Sequence, residues 1–328
     1  MWTCGFWVRL RHKRSATRRL VKERFRFGSN QYTNSQWGLT GTEDLGGGYA
    51  AVFKLENGFT AGTGGEGESG FSRYAYVGLA SDRYGSLWMG RAMSLTDEIG
   101  FYLDPFGEQA TGIANLVNGR AWGARSNAVT FNSAKFGGFS FRLQRGFGNV
   151  AGSFRASSST SASVTYTSAS VGLYGVYEEI RDDNGRLSSL YGASREFMAG
   201  ATYAFNSAKF YAGYAQLYSS GKDTLPDSLN PVGATRANQE WVGLTYQLTP
   251  ALILESAVFH GNVNHGGGSA TLGVLGANYS LSKRTMLYST LGLMFNRGQA
   301  QFPVETGNSA PLPGKNQQGV YAGVMHYF

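Results

Sequence analysis

The chain has 328 residues and a formal net charge of +8, with 47 Gly, 21 Phe and 19 Tyr against 7 Pro and 1 Cys. Glycine costs about 1 kcal/mol per helix position relative to alanine, so this density argues against a mainly helical protein. No run of about 18 apolar residues occurs, which excludes a transmembrane helix but not membrane-crossing strands of about 9–11 alternating residues.

The charge is unevenly placed. Residues 1–28 hold nine basic groups, Arg9, Arg11, Lys13, Arg14, Arg18, Arg19, Lys22, Arg24 and Arg26, against the single acid Glu23. The remaining 29–328 carry 20 basic and 20 acidic residues. A neutral body removes the argument for a nucleic-acid partner. Cys4 also lies in the first segment, and a cysteine-free body suits an oxidising compartment. Charge interrupts every apolar run in 1–28, so the segment lacks the core of a secretory signal. Two readings stand: a basic amphipathic helix that binds lipid or nucleic acid, or a start site assigned upstream of a truncated barrel. The abrupt change of composition near Phe27 favours the second, with 1–28 outside the barrel and 29–328 forming it.

From Ser29 onward the pattern is one of strands. Side chains alternate between two faces in a strand. In 36–42, Trp37 and Leu39 share a face. In 49–56, Tyr49, Ala51, Phe53 and Leu55 oppose Lys54 and Glu56. The pattern repeats through 73–80, 86–91, 126–132, 138–146, 162–167, 170–179, 196–205, 209–219, 240–248, 252–262, 270–281 and 285–296. Phe139, Phe141 and Leu143 alternate with Ser140, Arg142 and Gln144. Val242, Leu244, Tyr246 and Leu248 alternate with Trp241, Gly243, Thr245 and Gln247. In the last strand, 317–328, Val320, Ala322, Val324, His326 and Phe328 share one parity. A terminal phenylalanine would fray from a soluble sheet. In an outer-membrane barrel Val320, Val324 and Phe328 close the cylinder at the aromatic girdle.

Tight links at 45–48, 82–84, 134–138, 206–208, 249–250 and 282–283 trade places with long polar stretches at 62–70, 93–124, 148–159, 181–194, 220–237 and 297–316. Short turns on one side and long loops on the other is the layout of an antiparallel transmembrane β-barrel. A soluble sandwich shares the periodicity; runs of about nine or more residues, against a usual strand of about 5–6, favour the barrel. Fifteen strands are legible, and single-chain bacterial barrels have even counts. The missing strand should precede Ser29, with 25–30 as its remnant.

At this point the chain resembles the trimeric general porins of Gram-negative outer membranes, in their β-proteobacterial branch. The residues that carry the resemblance are SQWGLTGTEDLGGGYAAVFKLENGF (35–59), RYAYVGLASDRYGSLWMGR (73–91), SAKFGGFSF (133–141), NYSLSKRTMLYSTLG (278–292) and GVYAGVMHYF (319–328). The resemblance implies a sixteen-stranded barrel in the outer membrane, a homotrimer, and passive diffusion of ions and small hydrophilic solutes without cofactor or enzymatic step. A signal peptide and a convincing first strand are missing from the match. Where the family often has arginines in its SRWGLRG stretch, this chain has Gln36 and Thr40, which removes two basic pore-wall groups and argues against strong anion selectivity.

The stretch 93–124 is the longest insertion, with Asp97, Glu98, Asp104 and Glu108 and no Lys or Arg from Ala92 to Gly119. Asp104-Pro105-Phe106-Gly107 is a turn signal. A loop of this length is functional or disordered. The resemblance implies that it folds inward and narrows the channel, with Phe101, Tyr102, Leu103, Ile113 and Leu116 packed against the wall. Its carboxylates would then face Lys54 and Arg142, which have inward parity. Arg73, Arg91 and Arg125 lie at strand ends beside it, and need a bulge or a position above the lipid band to reach water. Opposed charge rings orient dipolar solutes and set ion preference without tight binding. For each basic residue, a salt bridge that merely holds the loop is the competing reading.

Other chemistry is thin. His12, His260, His265 and His326 lack metal-ligand spacing, and LGGG and HGGGS lack the lysine of a phosphate loop. Two rivals to the channel remain: a structural or adhesive outer-membrane barrel with a plugged pore, and a barrel hydrolase built on His260, for which no partner is evident.

Overall fold

The computed structural model describes residues 2–8, 26–66, 70–118, 120, 122–306 and 310–328; for 2–8 and 26 only the backbone is described. The strands in chain order are β1 (Trp2–Val8), β2 (Arg26–Ser29), β3 (Ser35–Gly46), β4 (Tyr49–Thr60), β5 (Gly65–Glu66), β6 (Tyr74–Ser81), β7 (Gly85–Met93), β8 (Ala124–Ser133) and β9 (Phe139–Gly146). There follow β10 (Ser159–Thr167), β11 (Val171–Ile180), β12 (Arg195–Phe205), β13 (Ala208–Tyr218), β14 (Arg236–Thr249), β15 (Leu252–Val263), β16 (Gly268–Ser280), β17 (Thr285–Arg297) and β18 (Gln317–His326). Between β7 and β8 lie helix α1 (Leu95–Leu103) and a short 3-10 turn (Ile113–Val117).

All fifteen strands expected from alternation are present, as β3, β4 and β6–β18. From β3 to β18 they form an antiparallel wall in which each main strand pairs with the next. Its longest members, β14, β16 and β17, have 14, 13 and 13 residues, enough to cross a hydrocarbon layer with tilt. Alternation divides the wall as expected. Val77, Val242 and Leu275 are 58%, 62% and 59% exposed on the outer face, where no second protein layer covers them. Glu56, Gln144, Glu178 and Gln239 are buried on the inner one.

The sequence places residues 1–28 outside the barrel; the backbone of Trp2–Val8 runs antiparallel along β18, from Trp2 opposite His326 to Val8 opposite Val320. Arg26–Ser29, inside the stretch expected to be the remnant of a first strand, pairs with β1 instead. The sequence WTCGFWV is free of charge and rich in β-formers, and an unpaired edge of β18 within lipid would be costly. The basic run 9–25 lies outside the described residues.

Not all inward residues are polar. Met198, Trp241, Phe259, Leu272, Val274 and Met294 point inward and are buried. They form the wall side of a core whose other side is the 93–124 loop.

Candidate functional site

The loop enters the cylinder through a capped helix. Ser94 at the N-cap accepts a hydrogen bond from the Asp97 amide at 3.1 Å, and Asp97 and Glu98 in the first turn suit the positive helix end. Leu95, Ile99 and Leu103, spaced four apart, are fully buried against the wall. The other face carries Glu98, Phe101 and Tyr102. Of the residues expected to pack on the wall, Leu103, Ile113 and Leu116 do so. Tyr102, though 40% exposed, stacks on Tyr174 of the wall at 5.4 Å. Phe101 does not pack there: it is 54% exposed and borders the lumen.

Glycine makes the seat. A Cβ at Gly200 would lie 2.7 Å from Leu103 Cδ2, one at Gly243 2.3 Å from Pro105 Cγ, one at Gly276 2.8 Å from Phe106 Cε1, and one at Gly292 2.6 Å from Thr111 Cγ2. These four positions on β12, β14, β16 and β17 let residues of the 103–111 stretch lie against the backbone of the wall. Polar tethers complete the attachment. Trp241 Nε1 donates to Leu103 O at 3.0 Å, Gln239 Nε2 to Ile113 O at 2.8 Å, and Thr290 Oγ1 to Gln109 Oε1 at 2.9 Å.

Beside the loop lies a cavity of about 760 Å³ lined by Arg73, Tyr74, Asp97, Glu98, Phe101 and Glu108, together with Asn30, Gln36 and Tyr327 among others. Glu98 forms an ion pair with Arg142 of β9, which lies 5.3 Å from the Trp88 ring. On the same wall Glu56 holds both Lys54 Nζ at 2.9 Å and Arg73 Nε at 2.7 Å, and Lys54 sits 3.9 Å over Tyr74. Tyr76 stacks on Trp88 at 4.4 Å. An aromatic and basic wall therefore faces the acidic edge of the loop. Burial raises the Asp97 carboxyl to about 6, opposed by the Arg73 and Arg125 guanidiniums. Burial, then the charges of Asp97 and Asp104, push Glu108 well above the ordinary glutamate value.

The other expected site residues are placed differently. Asp104 is buried and does not border the cavity; it accepts backbone N–H bonds from Phe106 at 2.9 Å, Ile113 at 3.0 Å and Glu108 at 3.3 Å. It shapes the turn, and burial against those bonds raises it to about 6. The bulge required for the strand-end arginines exists: the register shifts between Gly90 and Ala92. Arg91 then bonds Ser72 O at 2.6 Å and Ser126 Oγ, while Arg125 makes two 3.0 Å bonds to Glu178. Both are held by the wall. Val320 and Val324 lie on the outer face of β18, between β17 and β1, with Phe328 just beyond. His260 is also outward, against Thr271 at 2.8 Å.

Sequence reasoning missed the anchor at the far end of the loop. Arg120, with a side chain at 0% exposure, bonds Ser194 Oγ at 2.7 Å, Ser194 O at 2.5 Å, Glu178 at 3.2 Å and Glu196 at 3.0 Å. Trp122 Nε1 adds a 2.9 Å bond to Glu196, and Thr96 a 3.0 Å bond to Glu178. Glu178 and Glu196 are direct cross-strand partners. Two adjacent inward carboxylates demand a cation between them, but that signal needs the register.

A lipid-facing barrel wall whose long 93–124 loop folds inside, leaving a charged opening, defines an outer-membrane diffusion channel. A model of the Gram-negative porin family matches residues 17–299, and this chain belongs to that family. It is 30% identical over 291 residues to an outer membrane porin protein of Bordetella pertussis, covering 78% of this chain and 75% of the relative. In structure it resembles the anion-selective porin from Comamonas acidovorans, with TM-score 0.81, 21% identity and coverage of 100% and 97%. The trimer form of OmpT from Vibrio cholerae follows with TM-score 0.67, 12% identity and coverage of 99% and 98%. The protein is a Gram-negative outer-membrane porin, a passive diffusion channel with the fold of the sixteen-stranded porins.

Proposed function

We propose that the opening between Asp97, Glu98 and Glu108 on the loop and Lys54, Arg73 and Arg142 on the wall is the constriction that sets solute and ion preference. In this reading 29–328 carries the channel and 93–124 narrows it. Arg91 and Arg125 act one step back, by holding the loop and the bulge. The observation that carries the reading is the Glu98–Arg142 pair, which joins the loop directly to the wall. Opposed charges at this spacing make a transverse field that turns dipolar solutes as they pass. Because the wall cations are met by carboxylates, including Glu56 on their own side, the preference between anions and cations is weak. Small hydrophilic solutes and ions are the cargo, outer-membrane lipid is the surroundings, and three copies assemble. The trimer form recorded for the Vibrio cholerae relative supports the last point.

Planar-bilayer recording tests the assignment. Folded protein should give stepwise ohmic currents in triplets. Replacing Asp97, Glu98 and Glu108 together by lysine should move the reversal potential toward anions. An unmoved reversal potential would refute the constriction, and single unlinked steps would refute the trimer.

A further inference from the structure

One strand of the inner wall is unlike its neighbours. Ser159, Ser161, Ser163, Thr165 and Thr167 of β10 all have inward parity, while Thr160, Ala162, Val164 and Tyr166 have the outward one. Every inward position of this strand thus carries a hydroxyl and none a charge. Beside it β9 turns Ser140 and Arg142 inward, and β11 turns Tyr174 inward. Register sets Ser140, Thr165 and Tyr174 in one row, and Arg142 with Ser163 in the next.

These rows border a second cavity, of about 240 Å³, between the wall and helix α1. Ser163, Thr165, Thr167 and Tyr174 line it from the wall, and Ile99 and Tyr102 from the helix, with the Glu98–Arg142 pair beside them. Glu98 and Tyr102 also border the larger cavity, so the two spaces are neighbours. Glycine shapes the floor: a Cβ at Gly172 would lie 2.5 Å from the Tyr174 hydroxyl, so its absence lets that ring lie along the wall. The Ser140 and Thr165 hydroxyls share a hydrogen bond of 2.7 Å, and Lys135 Nζ donates to Thr167 Oγ1 at 2.6 Å. Ser163, 8% exposed, has no hydrogen-bond partner for its hydroxyl among the described residues.

The chemistry of this lining selects a class of solute. Its two charged groups, Glu98 and Arg142, are paired with each other, so the cavity offers a free ion little. A serine or threonine hydroxyl donates one hydrogen bond and accepts others. The hydroxyls of a polyol do the same, so the partners match in more than one pose. Ile99 and the tyrosine rings offer apolar surface to the carbon skeleton between those hydroxyls. The volume lies just below the usual ligand pocket of about 300–1,000 Å³, which limits the occupant to about three to six carbons. Contacts between neutral hydroxyls are individually weak, and a solute on its way through must also leave.

We infer that the cavity between α1 and β9–β11 is a weak binding site for small neutral polyols, held by the hydroxyls of Ser163 and Thr165 on the short-turn side of the Glu98–Arg142 pair. The inference goes beyond the constriction: there opposed charges set ion preference, while here uncharged hydroxyls hold uncharged solutes.

Saturation-transfer NMR of the folded full chain in micelles, titrated with xylitol, reads the site directly. The expected result is a saturable signal with half-saturation in the millimolar range. Combined Ser163→Ala and Thr165→Val removes two hydroxyls at nearly constant volume and should weaken binding at least about fivefold. Reversal potential and single-channel conductance should stay as they are, because no charge changes. Ser163→Ala alone should weaken binding about twofold to threefold, which keeps the test open if the double variant fails to fold. A signal that rises without saturating, unchanged affinity in the variants, or displacement of xylitol by an equal concentration of sodium butyrate would each overturn the inference. Lysine replacement at Asp97, Glu98 and Glu108 is read by reversal potential alone, so the constriction can stand where this site falls.

Discussion

Arg120→Met tests the buried anchor of the loop most sharply. The change removes four hydrogen bonds and the one guanidinium shared by Glu178 and Glu196. Glu178 keeps Arg125 and Thr96. Among the described residues Glu196 keeps only the Trp122 indole, at 2.9 Å, and is left as a buried carboxylate with no described cation in contact. Breaking a buried pair by removing one partner costs about 3–5 kcal/mol. Because the network joins the loop to β11 and β12, the cost should appear first as local opening of the loop and not as loss of the barrel. Hydrogen exchange of the 113–118 amides should accelerate by roughly two to three and a half powers of ten, at about 1.4 kcal/mol per tenfold. Open-channel noise should rise with it. Adding Glu196→Gln to Arg120→Met should recover part of the loss, since a neutral amide still accepts from Trp122 and carries no charge to bury. Unchanged exchange in the single variant, or no recovery in the double, would show that the network does not hold the loop.

Three further outcomes follow from the geometry. Asp104→Ala should leave the reversal potential where it is and lower stability by about 1–3 kcal/mol in urea titration, because it strands backbone N–H groups in a buried turn; a shift in selectivity would place its charge at the opening after all. Lowering pH from about 7.5 to 5 should move the reversal potential toward anions, as Asp97, raised to about 6, takes up its proton. The same Asp97 binds its proton more tightly folded than unfolded, where its value is 3.8, so its contribution to stability grows as pH falls from about 6 toward 4; a flat stability profile there refutes the shift. Gly243→Leu should force Pro105 off the wall, cost about 1–3 kcal/mol by overpacking and change single-channel conductance, while Gly273→Leu, where a Cβ meets nothing within 4 Å, should leave conductance unaltered.

Much of this architecture is written in local pattern. Period-two alternation sorts outer from inner side chains with no knowledge of the fold, because lipid and water impose opposite demands on neighbouring residues. Turn chemistry separates the short links from the long loops, and the length and acidity of 93–124 mark it as special before any coordinate is known. Alternation misled where the interior is not simply wet. Trp241 and Met294 point inward because a folded loop, not water, covers them. The sequence calls for a further strand before Ser29 but points to 25–30 for it, because the basic residues after Val8 hide a seven-residue apolar run whose partner, β18, is at the other end of the chain.

What tertiary structure alone decided is which charges face which. Asp104 and Glu108 are four residues apart and look equivalent in sequence; the turn between them buries one on backbone amides and leaves the other at the opening. Arg142 and Arg145 differ only in parity, yet one points into the barrel and the other away from it. Arg120 draws its meaning from Glu178 and Glu196, far along the chain, whose adjacency exists only once β11 and β12 are in register. Local pattern tells a residue which medium it prefers; long-range pairing tells it which partner it meets there, and charge acts through partners at a few ångströms.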